Sequence, residues 1–289
     1  MSLEKVPSPE KLNELINIFK NKDSKLTSID EFLDDFTLLT TYFAFIRFEI
    51  PAKIKMHRIR INEFEKDFTL LNELWCPPVE KIKKIGRCND IGEQVLYFSG
   101  GGDTALREIN PPIGSIVTCL ECELVENIKL YEIGVLKNNQ RELFLQQLKN
   151  MHKEALNQFY KNDKRLIDLD TKLKDFIVEE FTKNVEVGEE HLYKKTISIA
   201  KYFLSNPTIE ALMFPSIKSN LLNINYAITK EFADRKLKPI RVDVFRIVEP
   251  INNCTRFEFV KGSYENLNFN DQIVYSEPQP IQGWAFQQT

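Results

Sequence analysis

A chain of 289 residues with 43% hydrophobic content can bury a full core and form one large domain or two small ones. Its 39 basic and 42 acidic residues leave a formal charge of −3, so no bulk attraction to nucleic acid or to an anionic membrane is expected, and a phosphate-bearing ligand would need a local basic pocket. No stretch approaches 18 uninterrupted apolar residues and the opening MSLEKVPSPEKLNEL has no basic start before an apolar run, so a soluble, cytoplasmic protein is expected.

Taken along the chain, residues 9–48 read as two helices. Leu12, Leu15, Ile16 and Phe19 recur at helical spacing, and Ser28 opens SIDEFLDDFTLL as an N-cap with Glu31 completing a capping box. After Pro51, KIKMHRIRI (53–61) alternates basic and apolar residues with the period of a half-buried strand. QVLYFS (94–99) is a second strand, Gly100 to Gly102 a turn, and Asp103 or Thr104 the expected cap of a short helix that Pro111 and Pro112 end. Residues 115–134 hold one or two more strands, and residues 140–184 are helical, with apolar positions at threes and fours amid charges. YKKTISIAKYFL is a further helix, and the alternating IRVDVFRIV and TRFEFVKG return the chain to strands. Without repeats or flexible linkers, the expectation is an α+β fold: an N-terminal helical extension over residues 1–50 and a main domain over 51–289 that carries a helical insert at about 140–184.

Five cysteines, Cys76, Cys88, Cys119, Cys122 and Cys254, are too few and odd in number for a disulfide scaffold. Cys119 and Cys122 have metal-like spacing, but the alternating SIVTCLECELVE would point them to opposite faces of a strand, and His57, His152 and His191 fall in no metal-binding pattern. No metal site is expected.

Four segments stand in a specific order: MHRIRI (56–61), GRCNDIGEQVLYFS (86–99), DTALREI (103–109) and MFPSIKSNLLNINYAI (213–228). Together they resemble the RES-domain family, in which a strand-borne arginine is followed by GRxN, by a tyrosine ten residues after that motif's arginine, by a TAxxE helix and by a late YPS segment before NxA. The matching positions are Arg58 and Arg60, then Gly86, Arg87 and Asn89, Tyr97, Thr104 and Glu108, then Ser216 and Asn225. ELWCPPVEK and LYKKTISIAKYF, with Tyr193 and Thr196, are also similar to family members. Phe214 stands where many relatives have tyrosine, and Cys88 where an apolar or aromatic residue is common.

The resemblance implies a mixed or antiparallel β core related to ADP-ribosyltransferases and flanked by helices. It also implies cleavage of the nicotinamide N-glycosidic bond of NAD+, with ADP-ribose passed to phosphate or water. NAD+ is then substrate rather than cofactor, and a neutralising antitoxin protein is an implied partner. Transfer to a macromolecular acceptor and a non-catalytic nucleotide- or partner-binding module are the alternatives.

Residue chemistry fits these roles. A planar guanidinium grips two oxygens of a pyrophosphate, the role expected of Arg58 and Arg87 with Arg60 beside them. Departure of nicotinamide builds positive charge on the ribose, which a carboxylate, Glu108, would stabilise. Tyr97 offers a flat face or a hydroxyl, Ser216 a small hydrogen-bonding group rather than a covalent nucleophile, and Asn89, Thr104 and Asn225 further binding contacts. Taken singly, each has an ordinary reading: Arg58 and Arg60 as a solvated strand face, Glu108 as an exposed helix carboxylate, Tyr97 as core, Ser216 as a turn, Asn225 as a cap. GGGD lacks the spacing of a phosphate loop, and KIKKIGR is a solvated loop rather than a nucleic-acid patch.

Overall fold

The computed structural model of the chain describes residues 6–138, 143–249, 256–264, 267 and 272–276. Cys254, the first residues of the helical stretch expected from 140 and the start of TRFEFVKG lie outside the described residues.

The chain opens with two capped helices. In α1 (Pro9–Asn21) the Ser8 side chain accepts from the Lys11 N–H. In α2 (Ile29–Thr40) Ser28 and Glu31 form the reciprocal capping box, so two otherwise orphaned N–H groups are satisfied. Their apolar stripes meet through the fully buried Phe19, Phe32 and Phe36. Helix stops at Thr40, short of the expected 48, and residues 48–50 instead form strand β1 (Phe48–Ile50). Next come β2 (Lys55–Ile61), the single turn α3 (Leu71–Leu74), β3 (Val95–Ser99) and α4 (Gly102–Ile109). β4 (Ile116–Leu124), β5 (Ile128–Glu132) and the short α5 (Val135–Asn138) follow. The helical stretch is two helices, α6 (Leu143–Phe159) and α7 (Lys164–Thr182), parted by a turn with Lys161 and Asn162 at positive φ. Then come α8 (Tyr193–Leu204), β6 (Ala211–Pro215), β7 (Ile224–Thr229), α9 (Lys230–Lys236), β8 (Leu237–Ile247) and β9 (Phe257–Ser263).

Among the described residues the strands form one nine-stranded sheet in the order β1, β5, β6, β7, β3, β2, β4, β8, β9. Only β5 and β6 pair in parallel; the other neighbours are antiparallel, so the fold is α+β with a mixed sheet. On one side α1, α2, α7 and α8 share a core with Leu212, Phe214 and Ala227 of the sheet. Met56, Leu96, Phe98, Leu120 and Cys122 look into a second core with Leu71, Leu74 and Trp75, while Ile59, Val117 and Cys119 pack beneath Ala105 and Leu106 of α4. Cys119 and Cys122 thus face opposite sides of β4, as the strand period requires.

One irregularity in this sheet positions everything that follows. β2 pairs with β4 along its whole length, from Lys55 opposite Glu123 to Ile61 opposite Val117, but with β3 at a single position, His57 opposite Ser99. Beyond that point the two strands part. The gap is lined by groups from both, and a cleft opens there.

Candidate functional site

A cleft of about 700 Å³ occupies the split between β2 and β3 and extends under α4. Arg58, Arg60, Arg87, Tyr97, Glu108 and Asn225 all line it. Three guanidiniums against the carboxylates of Glu63 and Glu108 make it a local basic site in a chain of net negative charge.

The two β2 arginines reach the cleft from the side of the sheet that carries Met56, opposite the face of Ile59 and α4, because alternate strand residues point to opposite faces. Arg58 holds the split strands together: its Nε donates to the Leu74 carbonyl at 3.2 Å and its Nη1 to the Tyr97 carbonyl at 3.1 Å. The two bonds leave from different sides of the guanidinium, and among the described residues Nη2 carries no hydrogen bond to the protein. Burial, with the Arg60 charge as a lesser cause, lowers its pKa to about 10, so it is still a cation at neutral pH. Arg60 donates through Nη1 to the Glu73 carbonyl and lies over the Phe68 ring, 5.4 Å from its centroid.

Arg87 is placed by a different device. The GRCN segment is a tight turn in which the Gly86 N–H donates to the Asn89 carbonyl at 2.9 Å. A Cβ on Gly86 would lie 2.5 Å from Asn89 Oδ1 and 3.0 Å from the Tyr97 hydroxyl, so glycine is required by close approach. The Tyr97 hydroxyl donates to Asn89 Oδ1 and accepts from the Cys88 N–H, each at 2.8 Å, which locks the turn onto β3. Arg87, projecting from it, donates through Nη1 to the Phe181 carbonyl and through Nη2 to the Lys183 carbonyl at 3.2 Å, at the C-terminal end of α7. The carbonyl-rich end of a helix favours a cation there. The Tyr193 ring packs against the guanidinium at 5.2 Å.

Glu108 stands in the last turn of α4. Its Oε1 accepts from Ser216 Oγ and from Asn225 Nδ2, both at 2.6 Å. Ser99 Oγ donates to Asn225 Oδ1 at 2.7 Å, which sets the amide: the flipped orientation would set an amide oxygen against the carboxylate. Both donors converge on Oε1, and among the described residues no hydrogen bond engages Oε2. The side chain is therefore fixed through one oxygen and offers the other.

These placements sharpen the expected roles. Ser216 is fully buried, is not among the residues lining the cleft, and donates to Glu108. The Tyr97 hydroxyl is committed to the turn, and burial pushes its pKa well above the usual phenol value, so only the ring is available to a ligand. Asn89, expected as a binding contact, lies behind Tyr97 and also donates to the Lys84 and Asp90 carbonyls. Asp103 and Thr104 do not cap α4; Gly101 is its N-cap without a side-chain bond, and both residues lie in the first turn. Thr104 is buried there and, like Asn89, is not among the residues lining the cleft. Phe214, the departure from the tyrosine of many RES-domain proteins, lines the wall, 5.8 Å from Phe181 and opposite Asn225 in the strand register. His57, Ser99, Tyr193 and Glu63 also line the cleft, and the sequence reading gave none of them a role. His57 has its pKa lowered by burial against the opposing pull of Glu121, and the two side chains approach to 3.8 Å. No helix among the described residues is long and apolar enough to cross a membrane.

No protein-family model matches the sequence, and no curated protein matches it.

Proposed function

We propose that the cleft binds NAD+ and breaks the bond between nicotinamide and ribose, passing ADP-ribose to phosphate or water. The observation that carries this reading is the Glu108 carboxylate, fixed through Oε1 by Ser216 and Asn225 with no hydrogen bond to Oε2 among the described residues, in a cleft that also holds three guanidiniums. A carboxylate immobilised in this way suits a reaction in which cationic charge develops on a sugar ring, since it need not reorganise as the charge appears.

Each step has a group to serve it. The diphosphate takes the N–H groups of Arg58 and Arg87 that no backbone carbonyl uses, Nη2 of Arg58 and Nε of Arg87 among them, and because both guanidiniums are already anchored on backbone carbonyls little side-chain freedom is lost on binding. The glycosidic C–N bond breaks with its electron pair leaving on nicotinamide, which becomes neutral, and the ribosyl cation forms against Glu108. A water or phosphate oxygen then bonds to that carbon. With water a proton is released and ADP-ribose forms; with phosphate the sugar is phosphorylated at the same carbon. The resemblance to RES-domain proteins points to the same reaction, and the presence of Arg58, Arg87, Tyr97 and Glu108 along one cleft, with the buried Ser216 bonded to Glu108, supports it.

The test is incubation of purified protein with NAD+, with and without inorganic phosphate, while free nicotinamide is followed. Release that depends on Glu108 is expected, and intact NAD+ under both conditions would reject the proposal. Labelled NAD+ added to cell lysate separates small products from a labelled macromolecule, the outcome expected of a transferase.

A further inference from the structure

A second cavity shares no lining residue with the arginine cleft. α6 and α7 leave their common turn towards different cores: Leu145 and Leu148 of α6 pack with Leu130, whereas Leu166, Leu169 and Leu173 of α7 pack with Tyr131. Leu130 and Tyr131 are successive residues of β5, so the two cores lie on opposite faces of the sheet and the helices part around its β1–β5 end. Between them is a space of about 540 Å³, lined by both helices and by residues 131–137, and of the size of a small-molecule site. Leu136, Leu156 and Ile177, all buried, and the half-buried Ile167 and Val178 give it an aliphatic wall. The Tyr131 ring is stacked on Phe203, with centroids 4.0 Å apart.

The charged groups of this lining are unequally engaged. Asp170, fully buried, accepts from the Tyr160 hydroxyl at 2.9 Å and from Lys174 Nζ at 2.6 Å. Asp175 pairs with Lys137 at 2.7 Å. Glu132 accepts from the Leu136 N–H at 3.1 Å, and burial raises its pKa, which weakens its pull on a cation. His152 is uncharged at neutral pH, because burial lowers its pKa to about 4. Lys149 and Lys153 remain. They are exposed, one turn apart on α6, and among the described residues neither has an ion-pair partner. The carboxylates of the cavity are therefore already satisfied, while two of its ammonium groups are not.

We infer that this cavity binds a monocarboxylate with an unbranched apolar chain, the chain lying between α6 and α7 and the carboxylate between the ammonium groups of Lys149 and Lys153. The aliphatic wall and the methylene stems of the lysines match a hydrocarbon chain, whose burial removes apolar surface from water on both sides. One carboxylate between two ammonium groups supplies the charge that α6 lacks, through charge-assisted hydrogen bonds. A cationic amphiphile would meet carboxylates that already have donors, and would pass two uncompensated lysines to reach them.

The full chain is titrated by calorimetry with decanoate, decanol and decylamine, each kept monomeric in solution. One saturable site is expected, with decanoate bound about tenfold more tightly than decanol and decylamine bound most weakly. Replacing Lys149 and Lys153 together by methionine keeps the apolar stems and removes the charges, so decanoate affinity should fall about tenfold while that of decanol stays the same. Thr171→Trp places a bulky ring in the lining from α7 and should weaken both ligands. All three positions are exposed, so the variants retain the fold, which thermal unfolding verifies. Decylamine bound as tightly as decanoate, no saturable decanoate binding by the wild type, or a decanoate affinity unchanged in either variant overturns the inference. Nicotinamide release plays no part in the readout, so the result stands whichever way the NAD+ test falls.

Discussion

Glu108 has two donors on one oxygen, and that asymmetry makes its substitutions informative. Glu108→Gln keeps the shape and puts a neutral amide where the cation would form, so nicotinamide release should fall about a hundredfold or more with an unchanged circular dichroism spectrum. Equal turnover would remove Glu108 from the mechanism. Ser216→Ala leaves Asn225 as the remaining donor; the carboxylate keeps its charge but gains freedom. About a tenfold fall in kcat with little change in KM is expected, and a change confined to KM would argue against a positioning role. Tyr97→Phe acts elsewhere. It strips the Cys88 N–H and Asn89 Oδ1 of their partner in a buried turn, for which a loss of about 1–3 kcal/mol by urea unfolding is expected. Chemistry-bearing residue types were legible in the sequence; their partners were not. Nothing local announces that Ser216 bonds a carboxylate 108 residues earlier, or that Ser99 sets the amide of Asn225.

Elements were legible in proportion to the amphipathicity of their surroundings. The helices α1, α2 and α8 show their caps or their apolar spacing directly, and β8 and β9 alternate because one face of each is less buried than the other, whereas the buried residues of β2, Met56 and Ile59, face opposite sides of the sheet. β6 is buried at all five positions, and a short run without period cannot be told from a helix segment, which is why the strands on either side of Ser216 were not foreseen. The split between β2 and β3 leaves no mark in either strand's pattern, since it depends on which neighbour each strand finds. The helices α6 and α7 lie outside the family pattern, yet the end of α7 supplies the carbonyls that anchor Arg87. Gly134 tests whether α7 has to sit where it does. This residue has φ +79, and a Cβ on it would lie 2.8 Å from both methyls of Val178 on α7. Gly134→Ala should therefore cost about 1–3 kcal/mol and lower turnover through a displaced Arg87. Adding Val178→Ala relieves the clash but not the backbone strain, so the double variant should recover part of the stability; strict additivity would mean that the two side chains do not compete for the same space.

At the scale of the whole molecule, two buried groups titrate in opposite senses. Asp243 on β8 is 1% exposed, and burial raises its pKa to about 6 against the lowering effect of Arg241, whose Nε donates to it at 2.6 Å. The native state therefore holds this proton more tightly than the unfolded chain, and the stability it contributes is present below about pH 4 and is lost as pH rises through about 6. His152 does the reverse. Burial, with Lys174 as a lesser cause, lowers its pKa to about 4, so the unfolded chain binds the proton more tightly and stability is lost as pH falls from 6.5 towards 4. Each shift corresponds to roughly 3 kcal/mol, and over the window from pH 4 to 6 the two slopes oppose one another. Asp243→Asn should remove the acid-side gain: relative to the wild type, its unfolding free energy should improve between pH 4 and pH 6.5. His152→Gln should improve in the other direction, relative to the wild type, as pH falls through the same range. Chemical denaturation at intervals of half a pH unit reads both, and curves for the two variants that run parallel to the wild type would show that neither group is buried in the protonation state assigned to it.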